Sequence, residues 1–137
     1  MINILIVNAD NRSAEDIKAN LNMWEHDWQV SIIDSGKECL DIVKNGDYLD
    51  AIILGTQLSD MSYFDLIKHI RDDLDVPIIV LSNSNDIAML VRAFDAGAND
   101  YIWQSLNIVL LVARLKAQFR RREWDILNRE NKSNKVI

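Results

Sequence analysis

Chemistry in a chain of this size needs side chains that can attack, ionise or ligate, and few stand in useful places here. Asp10 follows the first apolar run, Asp60 follows the third, Ser82 follows the fourth, and Tyr101 sits in the fifth. Such positions matter because, in an open α/β sheet, ligands and reactions sit just beyond the carboxyl ends of the strands. The third run, Ala51-Ile-Ile-Leu54, leads up to that point and meets Gly55, which has no side chain. His26 and His69 lie far apart and share no ligand spacing, so both read as surface histidines. Cys39 is the only cysteine, which excludes an internal disulfide and a cysteine-based zinc site. No glycine-rich phosphate loop follows the first run, and no nucleophile–base pair is visible. The chain does not read as an enzyme.

The elements that must position these residues follow from hydrophobic spacing. Residues 2–7 are a short Ile/Val-rich run, suited to a central parallel strand covered on both faces. Ser13, with Asp16 three residues on, resembles a helix start, and Ile17, Leu21 and Trp24 repeat at helical spacing, which predicts a helix over 12–25. Trp28 to Ile33 is a second strand, and Asp34-Ser-Gly36 a turn. Cys39, Leu40 and Val43 mark a helix that stops near Asn45-Gly46. Ala51 to Leu54 is the third strand, with Phe64, Ile67, Ile70 and Arg71 on the helix after it. Pro77 opens the fourth strand, Ile78 to Leu81, where a missing N–H is tolerated at the first residue. Asp86 precedes a fourth helix ended by Gly97, Asp100 to Trp103 is a short fifth strand, and Ile108 to Phe119 a fifth helix. Five strands alternating with five helices predict an α/β fold with a parallel sheet covered on both faces.

Composition narrows the classes. With 137 residues the chain fits one domain, on a prior of roughly 100–200 residues per domain. A hydrophobic fraction of 49% and a net charge of −6 fit a globular protein with no global attraction to nucleic acid. No apolar run approaches the ~18 residues of a membrane span, and Met1 to Val7 lacks the basic flank of a signal peptide. A cytoplasmic location away from membranes is expected.

The same residues carry a family resemblance. Ile4-Leu-Ile-Val7, Asp34-Ser-Gly36, Leu58-Ser-Asp-Met61, Val76-Pro-Ile-Ile-Val-Leu-Ser82 and Ala96-Gly-Ala-Asn-Asp-Tyr101 resemble the receiver domain of two-component response regulators over residues 1–122. The fifth helix, with Leu111-Val-Ala-Arg-Leu115 running into Arg120-Arg-Arg122, is most similar to the OmpR/PhoB subgroup. The resemblance implies a five-stranded parallel sheet flanked by five helices, the CheY-like or flavodoxin-like three-layer sandwich. It also implies a chemistry. An aspartate attacks a phosphoryl group, an acidic pair after the first strand helps hold Mg²⁺, a lysine after the fifth strand neutralises the transferring charge, and a hydroxyl after the fourth strand reports its arrival. Here the acceptor position is Gly55, the acidic pair falls at Asn8 and Ala9, and the lysine position is Gln104, followed by Ser105. Only the hydroxyl, Ser82, and the switch aromatic, Tyr101, are retained. Asp10 lies one residue past the metal pair, and Asp60 too far along its loop to replace the nucleophile. The expectation is a pseudo-receiver with no Mg²⁺ or other cofactor, working without aspartyl phosphorylation.

The resemblance also implies a contact surface. In the OmpR/PhoB subgroup the fourth helix, fifth strand and fifth helix form a symmetric dimer. Mapped onto this chain, Val91, Phe94 and Val112 supply an apolar patch. Asp95 meets Lys116, and Asp100 meets Arg114 or Arg121, across the two-fold, while the acid that would pair with Arg92 is Leu110. Partners are then a second copy or a heterologous signalling protein, with DNA reached only through a domain absent from these residues. Tyr63, where the family has a small residue, either folds over the emptied pocket or is an exposed loop aromatic. Trp103 reads as packing beside the vacated lysine position. Residues 123–137 read as an extension of the fifth helix by a turn or two, or as a linker, and only weakly as a basic nucleic-acid arm. The alternative function is a stand-alone adaptor, or a sensor of small molecules in the pocket beneath Gly55 and Ser82.

Overall fold

The computed structural model describes residues 1–103 and 108–134. The order is β1 (Asn3–Val7), α1 (Asn11–Trp24), β2 (Gln29–Ile33), α2 (Gly36–Lys44), β3 (Ala51–Gly55), α3 (Tyr63–Asp73), β4 (Ile78–Ser82), α4 (Ile87–Ala96), β5 (Asp100–Trp103) and α5 (Ile108–Asn134). The strands form one parallel sheet in the order β2-β1-β3-β4-β5. The (βα)5 architecture is therefore as the periodicity predicts.

Alternation along the strands sorts the core into two layers. Leu5, Val7, Ile52, Leu54, Ile78 and Val80 face α2, α3 and α4. Their neighbours Ile4, Ile6, Ile53, Ile79 and Leu81 face α1 and α5. Both faces are buried, which is why β1, β3 and β4 read as unbroken apolar runs. Each fully buried Leu or Ile contributes about 1.5–3 kcal/mol of transfer free energy. Arg71, at the end of α3, ties the lower edge together. It donates to the carbonyls of Gly97 (2.9 Å) and Val76 (2.6 Å). Burial pushes its guanidinium pKa down. Gly97 ends α4 with φ at 124°, a backbone region that disfavours side chains.

Several boundaries shift by a residue, with β2 starting at Gln29, α2 at Gly36, and β3 and β4 reaching Gly55 and Ser82, and three differences are larger. α1 is capped by Asp10, whose carboxylate accepts from Ser13 N (3.3 Å), so Ser13 lies inside the helix rather than at its start. Tyr63 is the first residue of α3, and its buried ring lies 4.0 Å from that of Phe64. It is no exposed loop aromatic. α5 runs unbroken from Ile108 to Asn134, 27 residues or about 40 Å, well beyond a turn or two after Phe119. Arg122 ties it to the domain by donating to the Leu49 carbonyl (3.3 Å). Among the described residues no helix is long and apolar enough to cross a membrane.

Candidate functional site

The carboxyl ends of β1, β3 and β4 bring Asn8, Gly55 and Ser82 to one edge of the sheet, while Gln104 lies outside the described residues. Register places Gly55 beside Leu81 on β4, and Val7 beside Leu54 on β3. Asn8 is buried and its carboxamide lies directly over Gly55. A β-carbon on Gly55 would sit 2.7 Å from Asn8 Cγ and 2.8 Å from its Oδ1, closer than such atoms approach. The Asn8 Oδ1 also accepts from Asp10 N (3.1 Å), which turns the chain into α1. Ala9 N donates to the Gln57 carbonyl (3.0 Å), joining the β1–α1 and β3–α3 loops. Between them remains a cleft of about 20 Å³, lined among others by Asn8, Gly55, Thr56 and Asn83, with room for one water.

Asp10 and Asp60, the two carboxylates singled out from the sequence, both have backbone partners. Asp10 caps α1. Asp60 accepts from Gly36 N and Lys37 N, each at 2.9 Å, and so caps α2. Those backbone bonds hold its carboxyl below the ordinary range. Mg²⁺ asks for several oxygen ligands in near-octahedral order. One capping carboxylate and a carboxamide already bonded to the backbone do not fit that demand. Among the described residues no three His, Cys, Asp or Glu side chains gather as metal ligands.

The β4–α4 loop is held from both ends. Ser82 is buried, and its hydroxyl oxygen accepts from Ser84 N (3.0 Å). The Ser84 carbonyl accepts from the Tyr101 hydroxyl (3.2 Å), and the Asn83 carbonyl from the Trp103 indole N–H (3.1 Å). Trp103 is therefore a hydrogen-bonded anchor, with 45% of its surface exposed, as well as packing. Tyr63 belongs to the core layer on the α2–α3–α4 side of the sheet and is not among the residues lining the cleft. Burial, followed by the neighbouring Tyr101, pushes its hydroxyl up to about 12, against the opposing pull of Arg92. His26 and His69 are both exposed, with His69 4.0 Å from Asp72. Cys39 is buried and its thiol is pushed up to about 12 by that burial.

On the α4–β5–α5 face, Val91 and Phe94 are exposed, at 48% and 41%, and Leu110 is half-buried. Val112 is not part of this surface. It is only 6% exposed and packs under the sheet with Leu111 and Leu115, because its position on α5 points inward. The ion pairs expected across a two-fold are also placed differently. Arg114 binds both carboxylate oxygens of Asp100 in its own chain (2.9 and 3.0 Å). Lys116 pairs with Glu25 at the end of α1, so it points away from Asp95 on α4. Arg92 lies over the Phe64 ring, 4.1 Å from its centroid. Asp95 and Arg121 remain exposed. Val109, on the solvent side of α5, was not singled out by sequence reasoning, although it stands beside Leu110 in an apolar run.

Comparison with known proteins agrees with the fold. The chain is 33% identical over 119 residues to the cell cycle transcriptional regulator CtrA of Caulobacter vibrioides, covering 86% of this chain and 50% of that one. It is 28% identical over 137 residues to the heme response regulator HssR of Staphylococcus epidermidis, covering 100% and 60%. The chain thus spans little more than half the length of these relatives. A two-component response regulator from Clostridium difficile superposes with a TM-score of 0.80 at 28% identity, over 89% of this chain and 98% of that one. Residues 4–116 match the response regulator receiver domain, and the chain belongs to that family.

Proposed function

We propose that this receiver domain transmits its signal by protein contact, without accepting a phosphoryl group and without Mg²⁺. The observation that carries this reading is the Asn8 carboxamide over Gly55. It fills the space that a nucleophilic side chain would need, and only about 20 Å³ is left beside it. The Ser82 hydroxyl oxygen is already used by Ser84 N, and Tyr101 is bonded to the same loop. Both switch residues thus have partners within the chain and need no phosphoryl group to hold them. The small cleft also counts against a metabolite sensor beneath Gly55, since ligand pockets run to ~300–1,000 Å³.

The contact surface in this reading is the α4–β5–α5 face, with Val91, Phe94 and Leu110 at its centre and a second copy as partner. A heterologous signalling protein is the second reading. It is favoured by the use of Arg114 and Lys116 within the chain, which leaves the face more apolar than a ring of charge pairs. Named relatives include a transcriptional regulator, so the pathway is read as transcription control, with DNA bound by a domain outside these residues. The test is incubation with ³²P-labelled acetyl phosphate and Mg²⁺, followed by denaturing electrophoresis. No label is expected on the chain. A stable, hydroxylamine-labile label would overturn the reading.

A further inference from the structure

Helices α1 and α5 lie side by side on one face of the sheet and share a buried core, and further contacts join α5 to the end of α1 and the turn after it. There Lys116 pairs with Glu25, and the rings of Trp28 and Phe119 meet edge to face at 5.7 Å. Towards the carboxyl ends of the strands a groove of about 410 Å³ runs between the two helices. Its volume lies within the range of small-molecule sites, roughly 300–1,000 Å³. One wall and the floor are apolar, formed by Leu81, Ile102, Ile108, Leu111 and the Trp103 ring. The facing wall, from α1 and its cap, is mostly polar, with Ile17 as its one apolar member. Asp10, Ser13, Asp16 and Asn20 recur every three or four residues along α1, so they share one side of that helix.

The apolar stripe of α1, Ala14, Ile17 and Leu21, packs towards the sheet and α5, and the polar row lies beside it at the mouth of the groove. Two carboxylates, Asp10 and Asp16, stand at the rim against one guanidinium, Arg12, so the rim is net negative. An apolar floor under an acidic rim suits a molecule with a flat apolar body and a positive head. The groove also adjoins the loops that carry the switch residues. It shares Asp10, Ser13 and Leu81 with the cleft at Gly55, and the indole N–H of Trp103 is bonded to Asn83 in the β4–α4 loop.

We propose that the groove between α1 and α5 binds a small apolar molecule bearing an ammonium group, an arylalkylamine in chemical class. The ring lies on Leu81, Ile102 and the Trp103 indole, and the ammonium faces Asp16. The groove lies on the α1 side of β5 and α5, and Val91 and Phe94 of the α4–β5–α5 face are not among its lining residues.

The experiment is a ¹H–¹⁵N correlation titration of the full chain with tryptamine, using indole-3-propionate as the same ring with the opposite charge. The four indole N–H signals, from Trp24, Trp28, Trp103 and Trp124, serve as internal reporters. Tryptamine is expected to shift Trp103 saturably while the other three stay in place, with indole-3-propionate clearly weaker. Asp16→Asn should weaken tryptamine by about fivefold, the size of a partly exposed charge pair. Ile108→Trp should block the groove and abolish the shift, with the rest of the spectrum reporting an intact fold. The proposal is overturned by an absent or non-saturating shift, by equal response to both compounds, by comparable shifts at all four indoles, or by an unchanged affinity in Asp16→Asn.

Discussion

Asn8 and Gly55 act as one unit. The carboxamide lies over the glycine because nothing at position 55 competes for the space, and it stays there because its Oδ1 holds Asp10 N. Gly55→Ala would push a methyl group to within 2.7 Å of Asn8 Cγ. Overpacking of this kind costs about 1–3 kcal/mol. The loss of unfolded-chain freedom returns about 0.4–1 kcal/mol, so a net destabilisation of up to about 2.6 kcal/mol is expected. A double-mutant cycle by urea unfolding identifies the cause. In an Asn8→Ala background the penalty of Gly55→Ala should largely vanish. An unchanged penalty there would mean that something other than the carboxamide opposes the side chain. The sequence singles out Gly55 at the end of the third strand but gives no sign of the Asn8 carboxamide that lies over it. The Asn8–Gly55 contact is set by the register of two strands far apart in the chain, and no local spacing encodes it.

At the scale of elements, the repeats of apolar residues were strong enough to give all five strand–helix pairs, since a parallel sheet buried on both faces leaves unbroken apolar runs. The misreadings fell where the deciding contact is not local, or where the local signal is weak. Ser62 followed by Asp65 is a helix-start signature that places Tyr63 on α3. In the tail, Arg121, Asp125 and Arg129 stand four apart, a spacing that supports a helix through charge pairs rather than an apolar stripe. Asp60 is the clearest non-local case. It supplies its carboxylate to the first two N–H groups of α2 from 24 residues away, while Ser35 caps Glu38 N from within. Because those bonds hold the Asp60 carboxyl below its ordinary value of 3.8, the ionised form is favoured in the folded state. Its stabilising effect is thus fully present above 3.8 and is lost as the pH falls through the lower folded value. Asp60→Asn should therefore unfold at a lower temperature than the parent at neutral pH. The two melting curves should converge as the solution is acidified below that window. A gap that stayed constant with pH would show that the charge does not support the cap.

At the scale of the molecule, the exposed large apolar side chains are unevenly spread. Ile87, Met89, Val91 and Phe94 lie on α4, with Val109 on α5. The cations that would frame this surface in a charge-ringed dimer, Arg114 and Lys116, are held by Asp100 and Glu25 of the same chain. Exposed ion pairs are worth only about 0–1 kcal/mol each, so redirecting them costs a dimer little, and its affinity must come from apolar anchors. Phe94, next to Asp95 and within reach of the cleft that holds Arg121, is the largest such anchor. Buried aromatic anchors typically account for about 2 kcal/mol or more of an interface, roughly thirtyfold in affinity. Sedimentation velocity over a wide concentration range should show the parent chain moving from monomer to dimer. Phe94→Asp should shift that transition to at least about thirtyfold higher concentration, by the same reasoning. Phe94 is half exposed in the single chain, so its replacement should leave the thermal unfolding of the monomer nearly unchanged, which separates loss of contact from loss of fold. A parent chain that stays monomeric throughout would assign the α4 surface to a different protein. A dimer that survives Phe94→Asp would move the interface elsewhere, and the exposed Trp124, Ile126 and Leu127 on the projecting end of α5 would be the next residues to change.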